Sequence, residues 1–154
     1  MRFPELVQRF AAAAAAGAGD SLADLFTPEG TYDDYFFGPC TGREAIKEML
    51  KHFADGGRDF RWEFYDPVCS GNIGYASYRF SFQSTRPEAN GARVTFDGIG
   101  RFELDGDRIQ RYSEVFDRGM ALAQQAFAPE RLSKIVLKYA KALQSRPEWA
   151  AHLR

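Results

Sequence analysis

Two acidic positions in this chain have the type and setting for proton transfer. The first lies in Tyr32-Asp33-Asp34, inside the stretch TYDDYFFGPCTGREAIKEMLKHF from Thr31 to Phe53. On a strand side chains alternate, so Tyr32, Asp34 and Phe36 share one face while Asp33 and Tyr35 take the other. The second is Glu114 in RYSEVFD, where alternation groups Gln110, Tyr112, Glu114 and Phe116. A carboxyl among aromatic rings either finds a partner or has its pKa raised, and a raised pKa makes it a usable acid or base. Two carboxyls in one dry site rarely ionise together, so one would act as base and the other as proton donor. Asp34, Glu114 and Tyr32 are therefore the candidate catalytic groups. Each has a structural alternative. Asp34 could bind backbone N–H groups of the following turn, Glu114 could pair with Arg101 or Arg111, and Tyr32 could be a wall residue.

The elements that position these groups follow from hydrophobic period. Pro4 marks a helix start, and Leu6, Val7, Phe10 and Ala11 form its apolar stripe, ended by Gly17-Ala18-Gly19. A short second helix buries Leu22, Leu25 and Phe26, and Thr27-Pro28-Glu29-Gly30 reads as a turn into the first strand. Phe36 to Pro39 closes that strand. Ile46, Met49, Leu50 and Phe53 then recur at helical spacing until Asp55-Gly56-Gly57. From Phe60 the period becomes two. Phe60, Trp62 and Phe64 share one face, as do Ala76, Tyr78, Phe80 and Phe82, and then Phe96, Gly98, Gly100, Phe102 and Leu104. The glycines on that third strand imply a bend or a close approach by another group. Gly71-Asn72, Asn90-Gly91 and Asp105-Gly106 mark the hairpins. Helices resume over 119–127 and 129–144, the second with Leu132, Ile135, Val136, Tyr139 and Leu143 on one face.

Helices first, then antiparallel strands, indicate an α+β fold. Its expected form is a cone-shaped α+β barrel: a curved, mostly antiparallel sheet wraps the N-terminal helices, with extra C-terminal helices. Residues 1–117 would form the cone domain and 118–154 a helical extension, packed on the same domain or on a partner subunit. The two acids would face one another across the cone, whose open end suits a small hydrophobic ligand. Tyr32, Trp62, Tyr78, Phe80, Phe96, Tyr112, Phe10 and Phe53 would line it.

Composition narrows the partners. At 154 residues the chain suits one domain, burying roughly 70% of its unfolded surface. Its 20 basic and 21 acidic residues nearly balance, and no basic run is interleaved with aromatics, which argues against nucleic acid. Fourteen Phe, seven Tyr and two Trp imply a large aromatic core or an aromatic pocket. The Ala-rich run from Ala11 to Ala16 lacks a charged leader and follows Glu5, Gln8 and Arg9, so it reads as helix and not as a signal peptide. No segment suits a membrane span. Cys40 and Cys69 make no disulfide framework and fit a reduced, cytoplasmic setting. His52 and His152 form no local ligand pair, so neither metal nor cofactor is expected. Gly38 to Gly42 lacks the ending of a phosphate cradle.

The segments LVQRF (Leu6 to Phe10), GDSLADLF (Gly19 to Phe26), TYDDYFFGPCTGREAI (Thr31 to Ile46) and FDGIGRFELDGDRIQRYSEVFD (Phe96 to Asp117) carry a resemblance. In this order they resemble the nuclear transport factor 2-like superfamily, in its SnoaL-like (polyketide cyclase) branch. The resemblance implies the cone fold and a cofactor-free isomerase, cyclase, hydrolase or lyase, or a plain binding protein. In ketosteroid isomerases a Tyr and an Asp form the oxyanion hole. Their positions match Phe10 and Gly100, so both donors are missing, whereas the general base matches Asp34. In limonene epoxide hydrolases a Tyr-x-Asn motif matches Tyr32-Asp33-Asp34. Their Arg-x-Asp pair falls near Arg79-Phe80-Ser81, where the Asp is missing. The single acid used by SnoaL-type cyclases survives. Family resemblance also implies a homodimer through the outer sheet face, near Tyr65, Tyr75 and Arg79.

Overall fold

The computed structural model describes Met1 to Arg154. Its elements run α1 (Phe3–Ala15), α2 (Gly19–Ala23), β1 (Phe26–Asp34), β2 (Gly38–Thr41), α3 (Arg43–Gly56), β3 (Gly57–Ser70), β4 (Ile73–Ser84), β5 (Arg93–Asp105), β6 (Arg108–Phe116), α4 (Arg118–Gln124) and α5 (Pro129–Gln144). Short 3-10 segments at Pro87–Ala89 and Pro147–Leu153 complete the chain.

The six strands form one sheet in the order β2-β1-β6-β5-β4-β3. The hairpins β3–β4, β4–β5 and β5–β6 are antiparallel, whereas β1 lies parallel to β6 with Tyr32 beside Tyr112. Register slips at Arg58/Arg61, Tyr65/Val68 and Glu103/Leu104 add twist and curl the sheet. α1 lies in the concave side and buries Leu6, Val7, Phe10, Ala11 and Ala14. The Gln8 amide donates to the Phe64 carbonyl at 3.2 Å, which ties this helix to β3. α3 adds Ile46, Met49 and Leu50 to the same core.

The α+β class and the curved, mostly antiparallel sheet match expectation, but four details differ. The sheet is open, with β2 and β3 as its edges, so the cone is not a closed barrel. Thr27 to Gly30 is strand and not turn, and Phe26 belongs to β1 and not to the second helix. Gly38 to Thr41 forms an edge strand paired with β1, Pro39 lying opposite Asp33. An edge strand tolerates proline because one side of its ladder is unpaired. The β5–β6 turn is Gly106-Asp107, one residue later than expected, with Gly106 in the left-handed region (φ 58°).

The close approach expected at the β5 glycines is present. A Cβ on Gly98 would lie 2.5 Å from the Tyr78 hydroxyl. One on Gly100 would meet the Tyr112 ring at 3.0 Å and the Phe64 ring at 3.1 Å. The third strand of aromatics therefore has bare backbone where two tyrosines must reach across it.

Candidate active site

Those two tyrosines converge on Glu114. The Tyr78 and Tyr112 hydroxyls donate to its Oε2 at 2.9 and 2.8 Å. Tyr78 and Tyr112 are fully buried, whereas Glu114 keeps a small accessible surface while protein atoms surround it closely. Burial pushes its carboxyl up to about 7, and the Asp34 charge adds to the rise; the two phenol hydrogen bonds pull the other way. Burial and the Glu114 charge in turn push both phenols well above their usual range, so they remain donors. No arginine pairs with this acid. Arg111 binds Asp33 at 2.5 Å and Arg101 binds Glu103, which removes the salt-bridge alternative.

Asp34 has a different environment. Its Oδ1 accepts the backbone N–H groups of Phe36 and Phe37, each at 2.9 Å, across the β1–β2 turn. Burial raises its pKa, offset by those two bonds and reinforced by Asp33. The structural alternative for Asp34 is thus realised, at least through one oxygen. The two acids do not face one another across the cone. They sit on neighbouring parallel strands, each two residues beyond the paired Tyr32 and Tyr112. That pairing joins segments about eighty positions apart in sequence, which local alternation cannot register.

Tyr32 is buried between Phe10 (centroids 5.8 Å, stacked) and Tyr112 (4.9 Å). Burial, then the charges of Glu114 and Asp34, raise its pKa, which keeps its proton in place. The expected wall residues come together in a continuous run of rings. Phe10 meets Trp62 at 5.3 Å, Trp62 meets Phe80 at 5.1 Å, and Phe80 meets Phe96 at 5.0 Å. Phe53 is one ring removed, touching Phe60 at 6.1 Å, so it belongs to the rim. Phe36, Cys40, Phe60 and Phe116 complete this half-buried rim, with Phe116 stacked on Phe96 at 4.2 Å. Phe116 shares the face of Glu114 by simple alternation, so its place was readable from sequence. Cys40 lies on β2, where burial and the nearby aspartates raise its thiol pKa and so disfavour the thiolate.

One contact had no sequence signal. The Arg118 guanidinium lies between the rings of Tyr35 and Tyr139, 3.8 Å from each, and donates to the Tyr35 carbonyl at 2.8 Å. This pins α5 beside the β1–β2 turn that holds Asp34. Two open surface hollows lie elsewhere, one beside Val68, Ile73 and Tyr75 and one beside Pro4 and Gln8. No group of three or more His, Cys, Asp or Glu is arranged to hold a metal ion, and no helix is long and apolar enough to cross a membrane.

Comparisons with known proteins agree with this architecture. The SnoaL-like domain family matches residues 7–112. Among solved structures, a Catenulispora acidiphila protein with a ketosteroid isomerase-like fold, in complex with trimethylamine, superposes with a TM-score of 0.74. It is 20% identical, over 84% of this chain and 98% of that one. A polyketide cyclase homologue from Xanthomonas campestris gives 0.65 at 21% identity, over 79% and 95% of the two chains. An LEH-like epoxide hydrolase from M. tuberculosis gives 0.64 at 17% identity, over 87% and 94%. At these identities the likeness establishes the fold alone. No curated protein matches the sequence.

Proposed function

This chain belongs to the SnoaL-like domain family, and we propose that it is a cofactor-independent acid/base enzyme acting on a small hydrophobic or aromatic molecule. The observation that carries this is Glu114: a carboxyl at the floor of an aromatic site, held by two phenols and poised at about 7. Such a group is divided between its two forms at neutral pH, so it can accept a proton and return it in one cycle. As carboxylate, Glu114 takes a proton from an acidic C–H bond or from a water aimed at an epoxide carbon. As neutral acid it returns the proton to carbon or to a leaving oxygen. Isomerisation, cyclisation, epoxide opening and carbon–carbon cleavage all need only this exchange. Asp34 acts on Glu114 by charge and orders the turn above it. Tyr32 completes the dry floor.

The test is a screen of enolisable ketones and epoxides in deuterium oxide with wild type and Glu114→Gln. Deuterium incorporation or ring opening by wild type, lost in the variant, supports the assignment. Equal behaviour of the two proteins removes it. The alternative is a non-catalytic ligand-binding or assembly module, which the closely packed rings favour. In that case neither protein turns over any compound.

The outer sheet face suits a homodimer. Tyr65, Ser77, Ile99 and Val115 form one row across four strands, and Ile99 and Val115 are 48% and 56% exposed. Val115→Asp would then convert a dimer to a monomer in sedimentation. The 118–154 extension is proposed to cover the site, since α5 reaches it through Tyr139. Two free cysteines fit a reducing, cytoplasmic setting.

A further inference from the structure

Charge divides this chain unevenly. Residues 118–154 hold seven Lys and Arg against two Glu, whereas residues 1–117 hold thirteen Lys and Arg against nineteen Asp and Glu. Much of the positive surplus lies on α5, where Arg131, Lys134, Lys138 and Lys141 stand against Glu130 alone. The other two lysines of the chain, Lys47 and Lys51, are both ion-paired. Lys134, Lys138 and Lys141 pair with no acid.

The same helix leaves apolar surface uncovered. It rests on α4, with Leu132, Ile135 and Tyr139 half-buried, yet none of its sixteen residues is fully buried. Val136, Leu137 and Leu143 are exposed, Leu137 by 60%. At about 100° per residue, Leu143, Val136 and Leu137 follow one another round the helix, and Lys141, Lys134 and Lys138 come after them. The core of a protein–protein interface is depleted in lysine. Leucines edged by lysines suit a lipid–water boundary, where apolar side chains enter the acyl region and lysine stems run back to the headgroups. The 3-10 segment beyond α5 continues this character, with Leu153 exposed and Trp149 half-buried.

We infer that α5 docks this protein on the surface of an anionic lipid bilayer, through its Val136, Leu137 and Leu143 edge and its three unpaired lysines. The helix lies along the headgroups and does not cross them, being too short and too charged for a span. Charge sets the orientation: the positive extension is drawn to the surface that repels the negative domain. Glu114 takes no part in this docking, so Glu114→Gln should bind vesicles as wild type does.

Vesicle flotation tests the docking, with phosphatidylcholine alone and with about 30% phosphatidylglycerol added. The full chain should float with the anionic vesicles and bind phosphatidylcholine alone roughly a hundredfold more weakly. The triple variant Lys134→Gln, Lys138→Gln, Lys141→Gln should lose roughly a hundredfold on anionic vesicles, and added salt should weaken wild type in the same direction. Leu137→Ser should cost roughly fivefold to tenfold. These positions are exposed, and circular dichroism checks that each variant is folded. Failure to float with anionic vesicles overturns the inference, as does equal binding to both vesicle types. Displacement by inorganic phosphate at matched ionic strength also overturns it, because the helix would then be reading a phosphate and not a bilayer. So does a lipid-free dimer in sedimentation that the triple variant dissolves, which would make a second copy the partner of α5.

Discussion

Asp34 and Glu114 lie on neighbouring parallel strands, share an aromatic surrounding, and are each raised in pKa by burial. They differ in what binds them. Asp34 accepts two N–H groups of its own turn, partners that the fold supplies as soon as the turn closes. Glu114 accepts two phenols delivered from β4 and β6, possible only because Gly98 leaves room for the Tyr78 hydroxyl. A carboxylate bound by backbone is a part of the turn; one bound by neutral side chains is free to change protonation. The pair also illustrates how like charges set each other: the Asp34 charge contributes to the rise at Glu114.

The largest contrast should appear in rate. On a substrate found by the deuterium screen, Glu114→Gln should cost roughly a hundredfold to ten-thousandfold in turnover, with the fold intact by circular dichroism. Asp34→Asn should retain most activity, because Asn keeps an acceptor for the turn. Comparable losses in both variants would erase the distinction.

Stability against pH gives the next effect. For Glu114 the folded value of about 7 lies above the ordinary 4.5, so the folded chain holds the proton more tightly than the unfolded chain. Its contribution is therefore most favourable below about 4.5, declines as the unfolded glutamate ionises, and levels off above 7. The decline amounts to about 3 kcal/mol. Urea titrations at pH 5 and pH 8 should show a smaller loss for Glu114→Gln than for wild type. A third, smaller effect concerns the turn. Asp34→Ala should destabilise by about 1–2 kcal/mol, while Asp34→Asn should change stability little. Smallest is Tyr112→Phe, which removes one donor to Glu114. Since that bond lowers the pKa, the variant should shift the activity profile upward by about one unit or less.

Much of this was legible in the residues. Alternation placed Tyr112, Glu114 and Phe116 on one face and Tyr78 with Phe80 on another, and turn residues located the hairpins from β3 to β6. The helices α1, α3 and α5 followed from their apolar spacing. What escaped was non-local. The parallel pairing of β1 with β6 has no signature at either strand, so the two acids were expected to oppose each other when they are neighbours. β2 was hidden because Gly38 and Pro39 are turn formers, acceptable in a strand only at an edge. Thr27 to Gly30 carries the same kind of signal and is the stretch over which the pairing of β1 with β6 slips, between Phe26 opposite Ile109 and Thr31 opposite Arg111. The unpaired Trp62 nitrogen and the Arg118 contact with Tyr35 and Tyr139 depend on packing that local sequence does not encode.

The most direct measurement is an NMR titration of the Glu114 side-chain carboxyl, in wild type and in Asp34→Asn. The structure leads to a midpoint near 7 in wild type and a lower one in Asp34→Asn, where the neighbouring charge is gone. A wild-type midpoint near 4.5, or one unmoved by Asp34→Asn, would contradict the assignment of Glu114 as the group poised for proton transfer.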